Sequence, residues 1–118
     1  MLNSLDGAAV YLAGGSTDLR KSIDALAALV THDFGLDLFT NSLFVFCNKG
    51  RDKLKILHWD HNGFWLYYRR LERGRFRWPK TGGSQTLCVS RRQLQWLLDG
   101  LTLEQRQAHA PVTARIVV

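Results

Sequence analysis

Covalent and catalytic hardware is sparse in this 118-residue sequence. It has two cysteines, Cys47 and Cys88, each inside an apolar strand-like run, with no C-x-x-C spacing and no ligand set nearby. Both read as reduced, buried small hydrophobes, with a disulfide as the lesser alternative, and this usage fits a reducing cytoplasm. No apolar stretch approaches the roughly 18 residues of a membrane span, and the N-terminus shows no basic flank, apolar run and cleavage site, so neither membrane insertion nor export is expected. There is no internal repeat and no low-complexity tract. With 46% hydrophobic and 22% charged residues, the composition is that of one folded domain with its own core.

Catalytic signatures are missing too. Gly14-Gly15-Ser16-Thr17-Asp18-Leu19-Arg20-Lys21 stands where phosphate loops occur but lacks G-x-x-x-x-G-K-[ST], and Asp18 puts negative charge where a phosphate would sit. His58 and His61 flank Asp60, yet a hairpin would point them apart, so no metal site is expected. No carboxylate cluster serves a two-metal nuclease, and no Ser or Cys has a recognisable His and acid arrangement. Helix-turn-helix, zinc-finger and RNP signatures are absent as well. The expectation is a protein that is not an enzyme and needs no cofactor.

What the chain does have is positive charge in one place. Lys49 to Arg92 holds twelve of the sixteen Lys and Arg residues and only three carboxylates, Asp52, Asp60 and Glu72. That leaves this segment at +9 and the rest of the chain at −3, the total being +6. Charge gathered so closely repels itself, a cost that a polyanionic partner relieves.

Ala9 to Ala13 reads as a short buried strand, and Gly14-Gly15-Ser16 as a turn. Thr17 reads as the N-cap of a helix, with Asp18 at the positive end of its dipole and Leu19, Ile23, Leu26, Ala27 and Val30 on one face. A loop over 33–42 leads to a β-rich run, Leu43 to Cys47, and a turn at Asn48–Arg51. Segments 52–60, 64–72 and 75–78 then form a meander joined at Asn62-Gly63 and Arg73-Gly74. Thr86 to Val89 makes a last strand, and Ser90 caps a helix running to about Asp99, with Leu94, Leu97 and Leu98 inward and Gly100 ending it. Residues from about 103 read as a short helix and a loosely held tail. The expected fold is α+β: an antiparallel meander with an N-terminal strand-helix unit on one face and a C-terminal helix.

Turn rules then sort the meander's faces. With two-residue turns, Lys55 opposes Arg70, Lys53 opposes Glu72, and Arg70 opposes Arg77. One face collects Lys53, Lys55, Arg70, Arg75 and Arg77, with Tyr68 and Trp59 further along. The other collects Leu54, Ile56, Tyr67, Leu71, Phe76 and Trp78, with Arg69 as the misfit. A one-residue slip in the third strand would bury Arg75 and Arg77, so it is disfavoured. Such a basic face suits a phosphate backbone, with Tyr68 or Trp59 stacking on a base and Arg91 and Arg92 adding phosphate contacts. An acidic protein partner and plain solubilisation are the alternatives.

Four ordered stretches carry a family resemblance: Val10 to Val30, with Thr17-Asp18-Leu19-Arg20-Lys21; Leu43 to Asn48; Arg51 to Glu72, with Asp60-x-Asn62-Gly63-Phe64-Trp65; and Gly74 to Pro79. The chain resembles the TnpB-type accessory proteins, from the second open reading frame, of the insertion sequence sixty-six family. Gly50 and His58 depart from the family pattern. The resemblance implies a small protein encoded beside a separate DDE-type transposase and another accessory protein, needed for transposition without supplying its catalytic acids. It brings no settled binding residues with it. Two functions are then expected: DNA binding through the basic face, or an adaptor that meets the transposase through Thr17, Asp18, Arg20, Lys21 and exposed aromatics.

Overall fold

The computed structural model describes residues 8–82 and 85–105. Its strand-forming runs pair into one five-stranded mixed sheet, ordered β4-β3-β2-β1-β5. The strands are β1 (Val10–Ala13), β2 (Leu43–Cys47), β3 (Lys53–Asp60), β4 (Gly63–Arg70) and β5 (Thr86–Val89). β1 and β2 run parallel because the chain between them returns through a helix, and every other pairing is antiparallel. The central strand, β2, is buried along its whole length, as an unbroken Leu-Phe-Val-Phe-Cys run requires.

Helix α1 (Ile23–Ala28) continues into a π-helical turn, Leu29–Asp33, and sets Leu26 and Val30 on Phe44, Phe46 and Leu57. Helix α2 (Arg91–Leu98) lies on the opposite face, where Leu94 and Leu97 meet Leu12, Val45 and Ile56. Ser90 caps it as expected, in a reciprocal box. Its hydroxyl accepts from the Gln93 N–H at 3.0 Å, and the Gln93 side chain accepts from the Ser90 N–H at 2.9 Å. Gly100, at φ 80°, closes the helix. The α+β class anticipated from the element order holds.

Four local expectations give way to tertiary contacts. The first helix starts at Ser22 instead of Thr17. The Thr17 N–H donates to the Cys47 carbonyl at 2.8 Å, and the Asp18 carboxylate accepts from both the backbone and the guanidinium of Arg20. An acid that satisfies local donors in this way competes with helix formation, so 17–21 is a loop pinned to the end of β2.

The β3–β4 turn consists of His61 and Asn62, because Asp60 pairs with Gly63. His61 takes φ 56°, and the Asn62 N–H closes back on the Asp60 carbonyl. Lys55 therefore opposes Tyr68, and Lys53 opposes Arg70. A shift of two positions leaves every side chain on its expected face.

Residues 75–78 add no third strand to the meander, so Arg75 and Arg77 do not share the face of Lys53. β5 lies at the far edge beside β1, and the chain must cross the end of the sheet to reach it. Phe76 is buried and Trp78 half-buried on the α2 side, anchoring the crossing. Cys47 is buried, but Cys88 is exposed, since it lies on the edge strand opposite Tyr11 while α1 packs over the inner strands. Leu103 packs against the core, while the expected tail beyond Gln105 lies outside the described residues.

Candidate functional site

The strand directions bring three connections to one end of the sheet. β1, β2 and β4 finish there, and β3 and β5 begin there. The β2–β3 turn is the hub. The Asn48 side-chain oxygen accepts from the N–H groups of Asp52 and Lys53 at 3.1 and 3.0 Å, and its amide donates to the Asp52 carboxylate at 2.7 Å. Arg51, at φ 62°, reaches out in three directions. Its guanidinium donates to the Gly15 carbonyl at 2.9 Å and lies 5.9 Å from the centre of the Trp78 ring, and its own carbonyl accepts from the Phe76 N–H at 2.7 Å. Trp78 completes the knot by donating to the Ala13 carbonyl at 3.0 Å.

Two open grooves flank this turn. The larger, of about 910 Å³, runs between the 16–20 loop and the ends of β3 and β4, and is edged by Lys49, Lys53, Lys55 and Arg20 over Leu19, Leu66 and Tyr68. The smaller, of about 530 Å³, is lined by Arg51, Arg75 and Arg77 beside Phe76 and Trp78. The Lys55 ammonium donates to the Lys21 carbonyl at 3.0 Å and sits 6.0 Å from the centre of the Tyr68 ring.

Not every cation here is available. Arg20 is neutralised by Asp18 at 2.7 Å, and Arg70 by Glu72 at 2.8 Å. Asp18 is held well below the usual carboxylate range, chiefly by its bond from the Arg20 side chain. Asp52 is lowered first by its bond from Asn48 and then by the charge of Lys53, with Arg75 contributing less. Among the described residues no carboxylate forms an ion pair with Lys49, Lys53, Lys55, Arg75 or Arg77.

The anticipated residues divide into four groups. Lys53, Lys55, Tyr68 and Arg70 share one face, and Thr17, Asp18 and Arg20 close over it, so two sites anticipated separately are walls of one groove, with Lys21 tied in by its carbonyl. Arg75 and Arg77 reach the same end from the other side of the sheet. Trp59 lies at the opposite end, its ring 4.9 Å from Phe39 and 5.0 Å from Phe64 in edge contacts. Arg91 and Arg92 follow the end of β5 that pairs with Val10, at the end and edge away from the groove. The misfit Arg69 also has a place, because it donates to the Leu98 carbonyl at 3.2 Å and so serves the last turn of α2. Sequence reasoning missed Lys49 and Arg51 as site residues. The signal for them was Asn48-x-x-x-Asp52, an acceptor and a carboxylate spaced to lock a tight turn.

The sequence profile described as IS66 Orf2 like protein matches residues 8–108, which spans both grooves. The chain belongs to the IS66 Orf2-like family. Among curated relatives, the Sinorhizobium fredii protein y4hO is 37% identical over 101 residues, covering 86% of this chain and 87% of its own. A second protein of that organism, y4jC, is 30% identical over 101 residues, covering 86% of each. No solved structure matches the chain. Membership of the IS66 Orf2-like family makes this a transposition accessory protein of an insertion sequence, and the family is not known for catalysis. Among the described residues, no helix is long and apolar enough to cross a membrane, and no three His, Cys, Asp or Glu side chains gather to hold a metal ion.

Proposed function

We propose that this IS66 Orf2-like protein assists transposition without catalysing it, by binding DNA through the basic loop end of its sheet. One observation carries the reading: Lys49, Lys53, Lys55, Arg75 and Arg77, none of them in an ion pair among the described residues, border two grooves on either side of one rigid turn. Cations held at fixed spacing with open space between them suit a phosphate backbone, and releasing its counterions supplies the affinity. Neither described α-helix, Ile23–Ala28 or Arg91–Leu98, lines either groove, so sequence preference would come from DNA shape or from the transposase.

The test is a salt-titrated binding assay on element-end DNA and scrambled duplex, with and without the transposase. Replacing those five cations together by alanine is expected to abolish binding. Unchanged binding by that variant would remove the site.

A second reading, an adaptor that grips the transposase, is favoured by a different observation. Phe39 is 63% exposed and Trp65 44% exposed, and the Phe39–Trp59–Phe64 cluster lies at the end away from the basic grooves. Loss of transposase capture in a Phe39→Ser variant that still binds DNA would support it.

A further inference from the structure

We infer that the larger groove takes an unpaired segment of DNA, with a base stacked on Tyr68 and the adjoining phosphates on the lysine rim. This rests on the DNA-binding reading and extends it from charge to strandedness.

The groove's two chemistries lead to this assignment. Lys49, Lys53 and Lys55 form a cationic edge, but the same groove is also lined by apolar surface from Leu19, Leu66 and the ring of Tyr68. A duplex turns its phosphates outward and keeps its base faces stacked inside. It would use the edge and leave an aromatic floor without purpose. An unpaired strand presents both parts, and a base on an aromatic ring is the common way to hold it.

Trp59 and Trp78 are engaged elsewhere, and Tyr68 is the aromatic side chain that lines this groove. It is 54% exposed and projects into the groove from β4 directly opposite Lys55, whose ammonium lies 6.0 Å from the ring centre. Trp59 is engaged by Phe39 and Phe64, and Trp78 by Arg51 and the Ala13 carbonyl. Lys55 is aimed by its bond to the Lys21 carbonyl, so the cation beside the platform is positioned before any ligand arrives. The groove's volume of about 910 Å³ lies within the roughly 300–1,000 Å³ range of ligand clefts, ample for a nucleotide.

The experiment uses the full chain and two dye-labelled probes, an oligothymidylate and a mixed-sequence duplex of equal length, in fluorescence anisotropy at one salt concentration. Tyr68→Ala is expected to weaken oligothymidylate binding between about fivefold and a hundredfold, to leave duplex affinity unchanged, and to be rescued by Tyr68→Phe. An equal loss on both probes, or no loss on the single strand, overturns the inference. So does displacement of the oligothymidylate by polyglutamate of matched charge, because a groove reading charge alone has no use for a base. A parent protein that binds duplex but not oligothymidylate refutes the unpaired-strand assignment and spares the DNA reading. A parent that binds neither removes both.

Discussion

If the grooves hold a phosphate backbone, the salt dependence of duplex binding depends on which cations are already neutralised. Lys49, Lys53, Lys55, Arg75 and Arg77 have no carboxylate partner among the described residues, whereas Arg20 and Arg70 are matched by Asp18 and Glu72. At about 0.9 per neutralised phosphate, five contacts give a slope near −4.5 in log K against log salt, a loss of roughly 500-fold between 50 and 200 mM. Replacing Lys53 and Lys55 by alanine should reduce the slope to about −2.7 and the loss to roughly 40-fold. Replacing Arg20 and Arg70 removes the same formal charge but frees Asp18 and Glu72, and the slope should stay near the parent's. Isothermal titration at four salt concentrations measures all three proteins. If the arginine pair flattens the slope as much as the lysine pair, the ion pairs do not govern the surface.

Three further outcomes test the scaffold. Phe46 is fully buried on β2 beneath α1 and packs beside Phe34, so Phe46→Ala should cost about 3–5 kcal/mol in urea unfolding; a loss under about 1 kcal/mol would contradict the packing described. His58 lies buried with Nε2 2.9 Å from the Asn41 side-chain oxygen and no partner for Nδ1 among the described residues, and burial pushes its pKa below 6.5 against a small opposing pull from Asp60. Protonation therefore favours the unfolded chain: stability should be full above about pH 6.5 and decline as pH falls below it, and His58→Gln should flatten that decline in urea midpoints measured between pH 7.5 and 5.5. Arg51→Lys keeps the charge but loses the planar fork that meets Gly15 and Trp78, so it should lower stability by about 1 kcal/mol in urea unfolding while leaving the salt slope of DNA binding unchanged.

Local chemistry made much of this molecule legible. Leu43–Cys47, Thr86–Val89 and the Ser90-capped helix stand where hydrophobic runs and an N-cap serine put them, because each signal is satisfied within a few residues. The face shared by Lys53, Lys55 and Arg70 survived an error in the turn, since pairing Asp60 with Gly63 shifts the register by an even number. What escaped depends on distant contacts. Thr17 has the composition of a helix cap, but its N–H is claimed by Cys47. Arg73-Gly74 resembles a hairpin turn, but Phe76 and Trp78 have a core to fill and the next strand waits on the opposite edge. Arg75 and Arg77 accordingly join the basic end as part of a crossing chain, and Arg91 and Arg92 leave it because β5 runs the other way. Concentrated charge was visible in the sequence; its arrangement around one end of the sheet was not.

The position of β1 has a consequence for synthesis. The strand sits between β2 and β5, and its second neighbour, Thr86–Val89, leaves the ribosome only after all of the chain between them. Until then the nascent protein carries a parallel pair with a bare apolar margin, open to any other strand that passes. Stalled or truncated translation products ending before β5 should therefore be the species of this protein that chaperones hold and proteases clear.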